Sequence, residues 1–285
     1  MRSTHFILVL VAITFAACGE EKKANDKSRN SSSQNEVSAD SNSGPIFKSG
    51  LVLRFRDYRK EFCFPATEND PNEFCSEMEV HMVSIELKDL TVAERINNVI
   101  VKKVTNNTLK EKSLSQWVSE SIERENKDMA AQQSIRCDVV EKSKDILVVV
   151  IGKYEYYYGA AHGGGTTETC NFDLHSGKIL GLSDILRAGY GKELKQIAEE
   201  TFIEENGVED WDFTPGKGDF SLAYNISFTR KGLVFVYDAY EIGPYSSGSP
   251  SMCIPWKRIK NLLIEGSPIQ DFIDHPSHDE EELGC

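Results

Sequence analysis

The sequence lacks several features that would assign it to a familiar class. No second long apolar run follows the first twenty residues, no internal repeat is visible, and no Gly-x-Ser-x-Gly is present. Basic residues are also few, with 32 Lys plus Arg against 45 Asp plus Glu and a formal net charge of −13. An acidic surface repels phosphate backbones, so nucleic acid is not expected as a partner. Without that serine motif, the strand-to-helix elbow of serine esterases is also excluded.

The N-terminus carries the one long apolar stretch, residues 6–17, between Arg2 and Cys18. Its core of about eleven residues is shorter than the roughly 20 that a spanning helix needs, and it suits a signal peptide ending in small residues. We therefore interpret residues 1–18 as a lipoprotein signal peptide that leaves Cys18 as the lipid-carrying N-terminus. A plain secretory peptide with an accidental cysteine is the alternative.

Residues 19–45 contain almost no apolar side chain to bury and predict a flexible, disordered tether. A coil of this length has an end-to-end distance on the order of 30 Å, which holds the folded part clear of a bilayer. The expected location is the cell envelope, anchored by lipid to a bacterial membrane. Whether the protein is periplasmic or surface-exposed stays open. Residues 265–285 form an acidic tail.

The chain has seven cysteines. With Cys18 assigned to lipid, an even number remains, which suits disulfides in an exported protein. Cys63 and Cys75 flank a short polar loop, and we predict that they pair. The pairing of the other four is left open: Cys137, Cys170, Cys253 and Cys285.

Hydrophobic periodicity predicts an α+β fold with two subdomains, antiparallel sheets and helices on one face. The N-terminal subdomain, residues 46–134, has strands at 51–58 and 79–87 and helices at 90–104 and 115–133. The second, residues 135–264, has a meander of strands at 135–141, 146–158 and 166–174. A helix capped near Ser183 and Asp184 follows, interrupted at 189–191 and resuming over 192–205. Strands at 222–228, 232–238 and 251–255 and a short helix at 256–263 complete the pattern.

Five motifs in the second subdomain occur in a fixed order. They are Tyr-Gly-Ala-Ala-His-Gly at 158–163, the segment 171–186, Gly-Leu-Val-Phe at 232–235, the segment 240–250, and Ile-Pro-Trp at 254–256. As a set they resemble the RsiV/PdaC-type envelope domain. That domain occurs in lysozyme-sensing anti-sigma factors and in the non-catalytic N-terminal part of a peptidoglycan deacetylase. The resemblance implies the fold and a recognition role in the envelope. No sigma-binding segment or deacetylase domain accompanies it here.

Two loops are the expected ligand-binding edge. Residues 158–165 contain Tyr158 and His162, and residues 240–250 contain Tyr240 and Tyr245 in a stretch rich in Gly, Pro and Ser. Loops of this kind frequently carry recognition, and tyrosine suits both sugar rings and protein partners. The expected ligands are an envelope glycan or a cationic protein such as lysozyme. Packing in the core is the alternative role for these tyrosines.

Catalysis is the alternative function, as a hydrolase of envelope polymers with His162, Asp173 or Glu241 as acid or base. Their spacing is not diagnostic. His162, Asp173 and His175 also carry metal-ligand atoms, but not at the spacing of a recognised metal motif. We therefore predict no catalytic residue, metal or cofactor. A purely structural lipoprotein is a third interpretation.

Overall fold

A computed structural model describes residues 41–43, 50–64, 74–109, 113–125, 131–208 and 211–275. The predicted lipidation site Cys18, most of the tether, and Cys285 with the end of the acidic tail lie outside these residues. Within the described residues, no helix is both long enough and apolar enough to cross a membrane.

The main element is a seven-stranded sheet whose strands follow one another in chain order. The strands are β1 (Ser41–Ser43), β2 (Val52–Phe64), β3 (Phe74–Glu86), β4 (Ala131–Lys142), β5 (Ile146–Tyr157), β6 (Gly164–Asp173) and β7 (Ile179–Leu180). Neighbouring strands are antiparallel except β3 and β4, which pair in parallel over Glu77–His81 and Gln132–Arg136.

A smaller antiparallel sheet contains β8 (Asn225–Phe228), β9 (Gly232–Val236) and β10 (Ser251–Pro255), in the order β10-β9-β8. The helices are α1 (Leu90–Val104), α2 (Leu114–Glu125), α3 (Leu182–Ile185), α4 (Gly191–Asn206) and α5 (Gln270–Asp274). Short 3-10 helices occupy Tyr245–Ser247 and Trp256–Leu262.

Strand β5 lies between two hydrophobic cores. Its side chains alternate between the two faces of the sheet. Leu147, Val149 and Ile151 enter the first core, whereas Ile146 and Val148 enter the second. All five are fully buried. This explains why β5 is a continuous apolar run, a pattern typical of strands covered on both faces.

The first core lies between the large sheet and the helices α1 and α2. Helix α1 begins where the Asp89 side chain accepts hydrogen bonds from the backbone N–H groups of Thr91 and Val92, at 3.0 and 3.2 Å. Its residues Ile96 and Ile100 are fully buried. The spacing of three and four residues in the sequence therefore places one apolar stripe of α1 against the sheet.

The C-terminal end of α1 is held to the sheet by Glu168 of β6. This carboxylate binds Lys103 Nζ at 2.7 Å and Lys153 Nζ at 3.1 Å. Burial opposes ionisation, but the two lysine hydrogen bonds hold the pKa of Glu168 below its ordinary value. The helix and the β5–β6 hairpin are thereby joined.

The second core joins α4 to the small sheet through an aromatic cluster. The Phe202 ring of α4 meets the rings of Trp211, Phe213, Phe220 and Tyr237, with centroid distances of 5.0–5.8 Å. These geometries are mostly edge-to-face, the arrangement that aromatic quadrupoles prefer.

Asn171 of β6 attaches the small sheet to the large one. Its amide donates to Ile226 O at 2.7 Å and accepts from Phe228 N at 2.9 Å. One buried side chain thus satisfies two backbone groups of β8, which fixes how the second layer sits over β6.

The α+β class is confirmed, and most predicted elements are present. The predicted boundary at residues 134 and 135 falls inside β4, and the seven-stranded sheet continues across it. The predicted helix 115–133 is too long: α2 ends at Glu125, and Gln132 and Gln133 lie in β4. Pairing on both sides of β4 overrides their helical preference. The helix expected after Ser183 begins at Leu182, with Gly181 at its N-cap.

The cysteines divide into two groups. Cys63 and Cys75 form the predicted disulfide between β2 and β3. The expectation that the remaining cysteines pair is wrong for Cys137 and Cys170, which are free and buried. They lie on β4 and β6 with β5 between them, a separation of at least about 9–10 Å, whereas a disulfide needs Cα atoms within about 7 Å. Burial raises the pKa of Cys137 to about 12 and that of Cys170 to about 11.

Cys253 is disulfide-bonded, and its partner lies outside the described residues.

Replacing both Cys63 and Cys75 by serine should lower the free energy of unfolding by about 2–3 kcal/mol, because the disulfide restricts the unfolded chain. Urea denaturation of wild type and variant measures this difference. In reducing buffer the two proteins should unfold alike, which is the matched control. Free thiols at both positions in peptide maps of the unreduced protein would contradict the pairing.

Candidate functional site

The two loops expected to form the ligand-binding edge meet in the structure. The first connects β5 to β6, and the second connects β9 to β10. Asp238, at the start of the second loop, accepts a hydrogen bond from Thr167 N of β6 at 2.9 Å. The second loop is thereby attached to the large sheet close to the first.

Three rings from these loops form what we call the aromatic stack: His162, Tyr245 and Tyr240. The rings of His162 and Tyr245 are stacked, with centroids 3.8 Å apart and an interplanar angle of 20°. The Tyr240 ring follows at 5.5 Å from Tyr245, tilted by 37°. Tyr240 is 63% exposed and Tyr245 37%. The stack therefore presents ring surface to solvent instead of packing in a core.

Hydrogen bonds fix the orientation of the rings. His162 Nδ1 lies 2.9 Å from Gly163 O, and because a carbonyl only accepts, Nδ1 carries the proton. In the neutral ring Nε2 is then an acceptor for the Tyr240 hydroxyl, at the long distance of 3.5 Å. The Tyr245 hydroxyl donates to the same Gly163 carbonyl at 3.1 Å. Hydrogen bonds between the two loops therefore fix the relative orientation of the three rings.

Gly163 is required by a close approach. A Cβ at this position would overlap the ring of Tyr154 on β5. This explains why glycine follows His162.

Two carboxylates shape the second loop. Glu241 Oε2 accepts from Asp238 N at 2.9 Å, and Oε1 accepts from Tyr224 N at 3.1 Å. Burial raises the pKa of Asp238 above its ordinary value, while the hydrogen bond from Thr167 opposes that shift. Between these two acids, Tyr240 has a backbone φ of +69°. A bulky residue rarely adopts this left-handed conformation, and such strain is concentrated at functional positions.

The other predicted site residues lie elsewhere or have structural partners. Tyr158 is half exposed just after β5 and belongs to the first loop, but not to the stack as defined here. Asp173 and His175 lie at the far end of β6 from His162, a distance of about 30 Å along the strand. There His175 Nε2 contacts Asp145 at 2.8 Å. The possible metal ligands His162, Asp173 and His175 are therefore not brought together.

One group of potential ligand atoms does converge among the described residues, Glu61 with Cys63 and Cys75. Both sulfurs are in the disulfide, so no thiolate is available to a metal.

Sequence reasoning does not identify Tyr154, Asp238 or Thr167 as residues of this site. Alternation along β5 puts Tyr154 on one face of a strand, but only the fold shows that Gly163 lies beneath its ring. Asp238 ends an apolar strand, and an acid there carries no signal of what it binds.

The comparisons with known proteins connect the chain to one family of unknown function. The family model described as "Protein of unknown function (DUF3298)" matches residues 183–257. This segment includes Tyr240 and Tyr245 but not His162. No curated protein matches the chain.

Two solved structures share the fold. A member of the DUF3298 family from Bacteroides fragilis is 19% identical with a TM-score of 0.64, covering 78% of this chain and 98% of that one. A DUF3298 family protein from Pseudomonas aeruginosa PAO1 is 18% identical with a TM-score of 0.55, covering 75% and 95%. At these identities the likeness shows the fold alone. Neither match concerns the RsiV/PdaC-type domain, and that resemblance stays a prediction.

The strain at Tyr240 predicts that glycine stabilises the protein more than alanine at this position, the reverse of the usual order. An L-residue with a side chain costs about 1–2 kcal/mol in the left-handed region, so Tyr240→Gly should be more stable to urea than Tyr240→Ala by about 1 kcal/mol. Tyr224 is the matched control, since it is 91% exposed and its φ is not positive. At residue 224 the free energy of unfolding of the alanine variant should exceed that of the glycine variant by about 0.4–1 kcal/mol. The same order at both positions would contradict the strain at residue 240.

Proposed function

We propose that this chain is a lipid-anchored, non-enzymatic protein of the cell envelope whose aromatic stack binds a glycan or a protein ligand. The observation that carries the proposal is the exposed stack of His162, Tyr245 and Tyr240. Tyrosine and histidine rings usually stabilise a folded protein when they are buried. Here they are oriented by hydrogen bonds and by a strained backbone while facing solvent, which suits recognition.

The chemistry of the stack fits flat, partly polar ligands. Ring faces offer apolar contact, and the tyrosine hydroxyls and imidazole nitrogens at their edges accept and donate hydrogen bonds. Aromatic residues of this kind dominate binding energy at protein interfaces. A depression of about 340 Å³ lies along the outer face of α1 and not at the stack. With Tyr240 63% and Tyr245 37% exposed, the stack is an open surface that suits an extended ligand.

The net charge of −13 favours a cationic protein as one such ligand, because opposite charge speeds the encounter. The resemblance to a lysozyme-sensing domain points to the same class. Lysozyme is accordingly a suitable protein probe for the stack.

The proposed anchoring rests on the N-terminal sequence. A lipid on Cys18 would leave the tether to display the folded part, and it would make Cys285 the disulfide partner of Cys253. Four other cysteines are not available to Cys253, because Cys63 and Cys75 pair with each other and Cys137 and Cys170 are free.

A hydrolase is not supported by the site geometry. The His162 nitrogens contact Gly163 O and the Tyr240 hydroxyl, and both oxygens of Glu241 accept backbone N–H groups. Asp173 lies at the far end of β6. None of the proposed carboxylates is thus placed as the acid or base partner of His162.

The anchor is tested by Cys18→Ser. Without the thioether-linked lipid the protein should move to the soluble envelope fraction and lose fatty-acid labelling, because two or more acyl chains are needed for stable anchoring. Peptide mapping of the wild type should also join Cys253 to Cys285. Labelling that persists in the variant would refute lipidation at Cys18.

The stack is tested by titrating the full chain, in detergent and at about 0.15 M salt, with lysozyme and with solubilised peptidoglycan fragments. One probe should bind, and Tyr245→Ala or Tyr240→Ala should weaken that binding at least tenfold, about 1.4 kcal/mol. The exposed Tyr224→Ala is the control and should bind normally. His162→Ala should weaken binding without abolishing it. Binding of neither probe, or equal binding by all variants, would overturn the proposal.

A further inference from the structure

The face of the large sheet that packs on the second core continues beyond it into open space. On β5 this face carries Ile146 and Val148 inside the core, and alternation then places Gly152, Tyr154 and Tyr156 on the same side. These three residues are only partly buried. The layer formed by α4 and the small sheet therefore covers only part of this face.

Residues paired across the strands extend this open area. Tyr154 pairs with Ser134 on β4 and with Gly165 on β6, and Tyr156 pairs with Gln132. Paired residues share a face of the sheet. Gly152 pairs in the same way with Arg136 on β4. We call this set the floor: Gln132, Ser134, Arg136, Gly152, Tyr154, Tyr156 and Gly165.

The aromatic stack stands directly on the floor. Gly152 pairs with Thr167, whose backbone N–H binds Asp238 at the base of the second loop. The Tyr154 ring lies against Gly163, whose carbonyl accepts from Tyr245. The floor and the aromatic stack therefore adjoin each other, and we call the surface that they form together the step.

Glycines keep the floor open beside the stack. A Cβ at Gly152 would have no atom within 4 Å, and Gly165 is exposed. Next to them, Gln132, Ser134 and Tyr154 line a small depression with Glu77 and Glu79 of β3. The step therefore runs across strands β3 to β6, with free space at Gly152 itself, whose paired neighbours on this face are Arg136 and Thr167.

The charge of the step excludes anionic ligands. No Lys or Arg occurs in residues 154–177 or 232–256, which contain both loops. The nearby cations are paired: Arg59 with Glu77 and Glu79, and Arg136 with Asp138 at 3.2 Å. The step offers tyrosine faces with hydroxyl and amide groups, beside the charges of Glu77, Glu79 and Arg136, which are already engaged in ion pairs.

We infer that this step binds an uncharged linear glycan, which lies along the floor with a sugar ring against the aromatic stack. The inference rests on the proposed function of the stack and selects the glycan among its ligands. Sugar rings combine a flat apolar face with hydroxyls, which match tyrosine faces flanked by Ser134 and Gln132. A chain of such rings also needs a path that is open at its ends.

The decisive variant fills the floor and leaves the stack unchanged. Gly152→Gln adds a side chain where there is free space, so the fold should persist while the path is obstructed. Gly191→Gln is the matched control, because its Cβ would also meet no atom within 4 Å and it begins α4, outside both loops and the floor. Ser134→Gln, elsewhere on the floor, is a second obstructing variant. Thermal unfolding confirms that each variant is folded.

The probes are hexamers of β-1,4-linked N-acetylglucosamine and of β-1,4-linked glucose, titrated calorimetrically into the full chain, with heparin as a polyanion. At least one hexamer should bind and heparin should not. Gly152→Gln and Ser134→Gln should weaken hexamer binding at least tenfold, and Gly191→Gln should leave it unchanged.

Failure of this inference is distinguishable from failure of the proposed function. If neither hexamer binds while lysozyme binding depends on Tyr245, the glycan is overturned and the stack stands as a protein site. If a hexamer binds and Tyr245→Ala weakens it but Gly152→Gln does not, the floor is overturned. Equal losses in Gly152→Gln and Gly191→Gln would also overturn it.

Discussion

The burial of β5 on both faces is the constraint on which the remaining structure depends. Burying its five aliphatic side chains contributes about 1.5–3 kcal/mol each, and they divide between two cores. The helices α1 and α2 cover one face, and α4 with the small sheet covers the other. Since both layers use the same strand, neither can shift along β5 without disturbing the packing of the other.

Two polar side chains transmit this placement to the loops. Asn171 binds two backbone groups of β8, and Asp238 binds the backbone of Thr167. Both contacts join the second layer to β6, the strand next to β5. The position of Tyr240 and Tyr245 above Gly163 therefore follows from the register between the two layers, and the stack is as rigid as that junction.

The sequence predicts those parts of the fold that depend on local pattern. The apolar run of β5 and the stripe of α1 give clear periods, and Cys63 and Cys75 are close along the chain. Two predictions failed for a common reason: the helix extended to residue 133, and the pairing of Cys137 and Cys170 in disulfides. In each case the outcome depends on which strands are neighbours in the sheet. Both loops of the site were predicted from their composition. That His162 stacks on Tyr245, with Asp238 holding the second loop to β6, depends on contacts between residues about 70–80 apart, which periodicity does not specify.

The single parallel pair, β3 with β4, has a consequence for how the chain acquires its shape. All other pairs in the large sheet are hairpins or short connections that close quickly, whereas this one waits until α1, α2 and the chain between them have been made. During synthesis from the N-terminus, β3 is therefore a free sheet edge until β4 arrives. An unpaired edge is a template for aggregation. The helices that pack on β2 and β3 in the meantime stabilise the half-built sheet, so defects in α1 or α2 should reduce the yield of folded protein as well as its final stability.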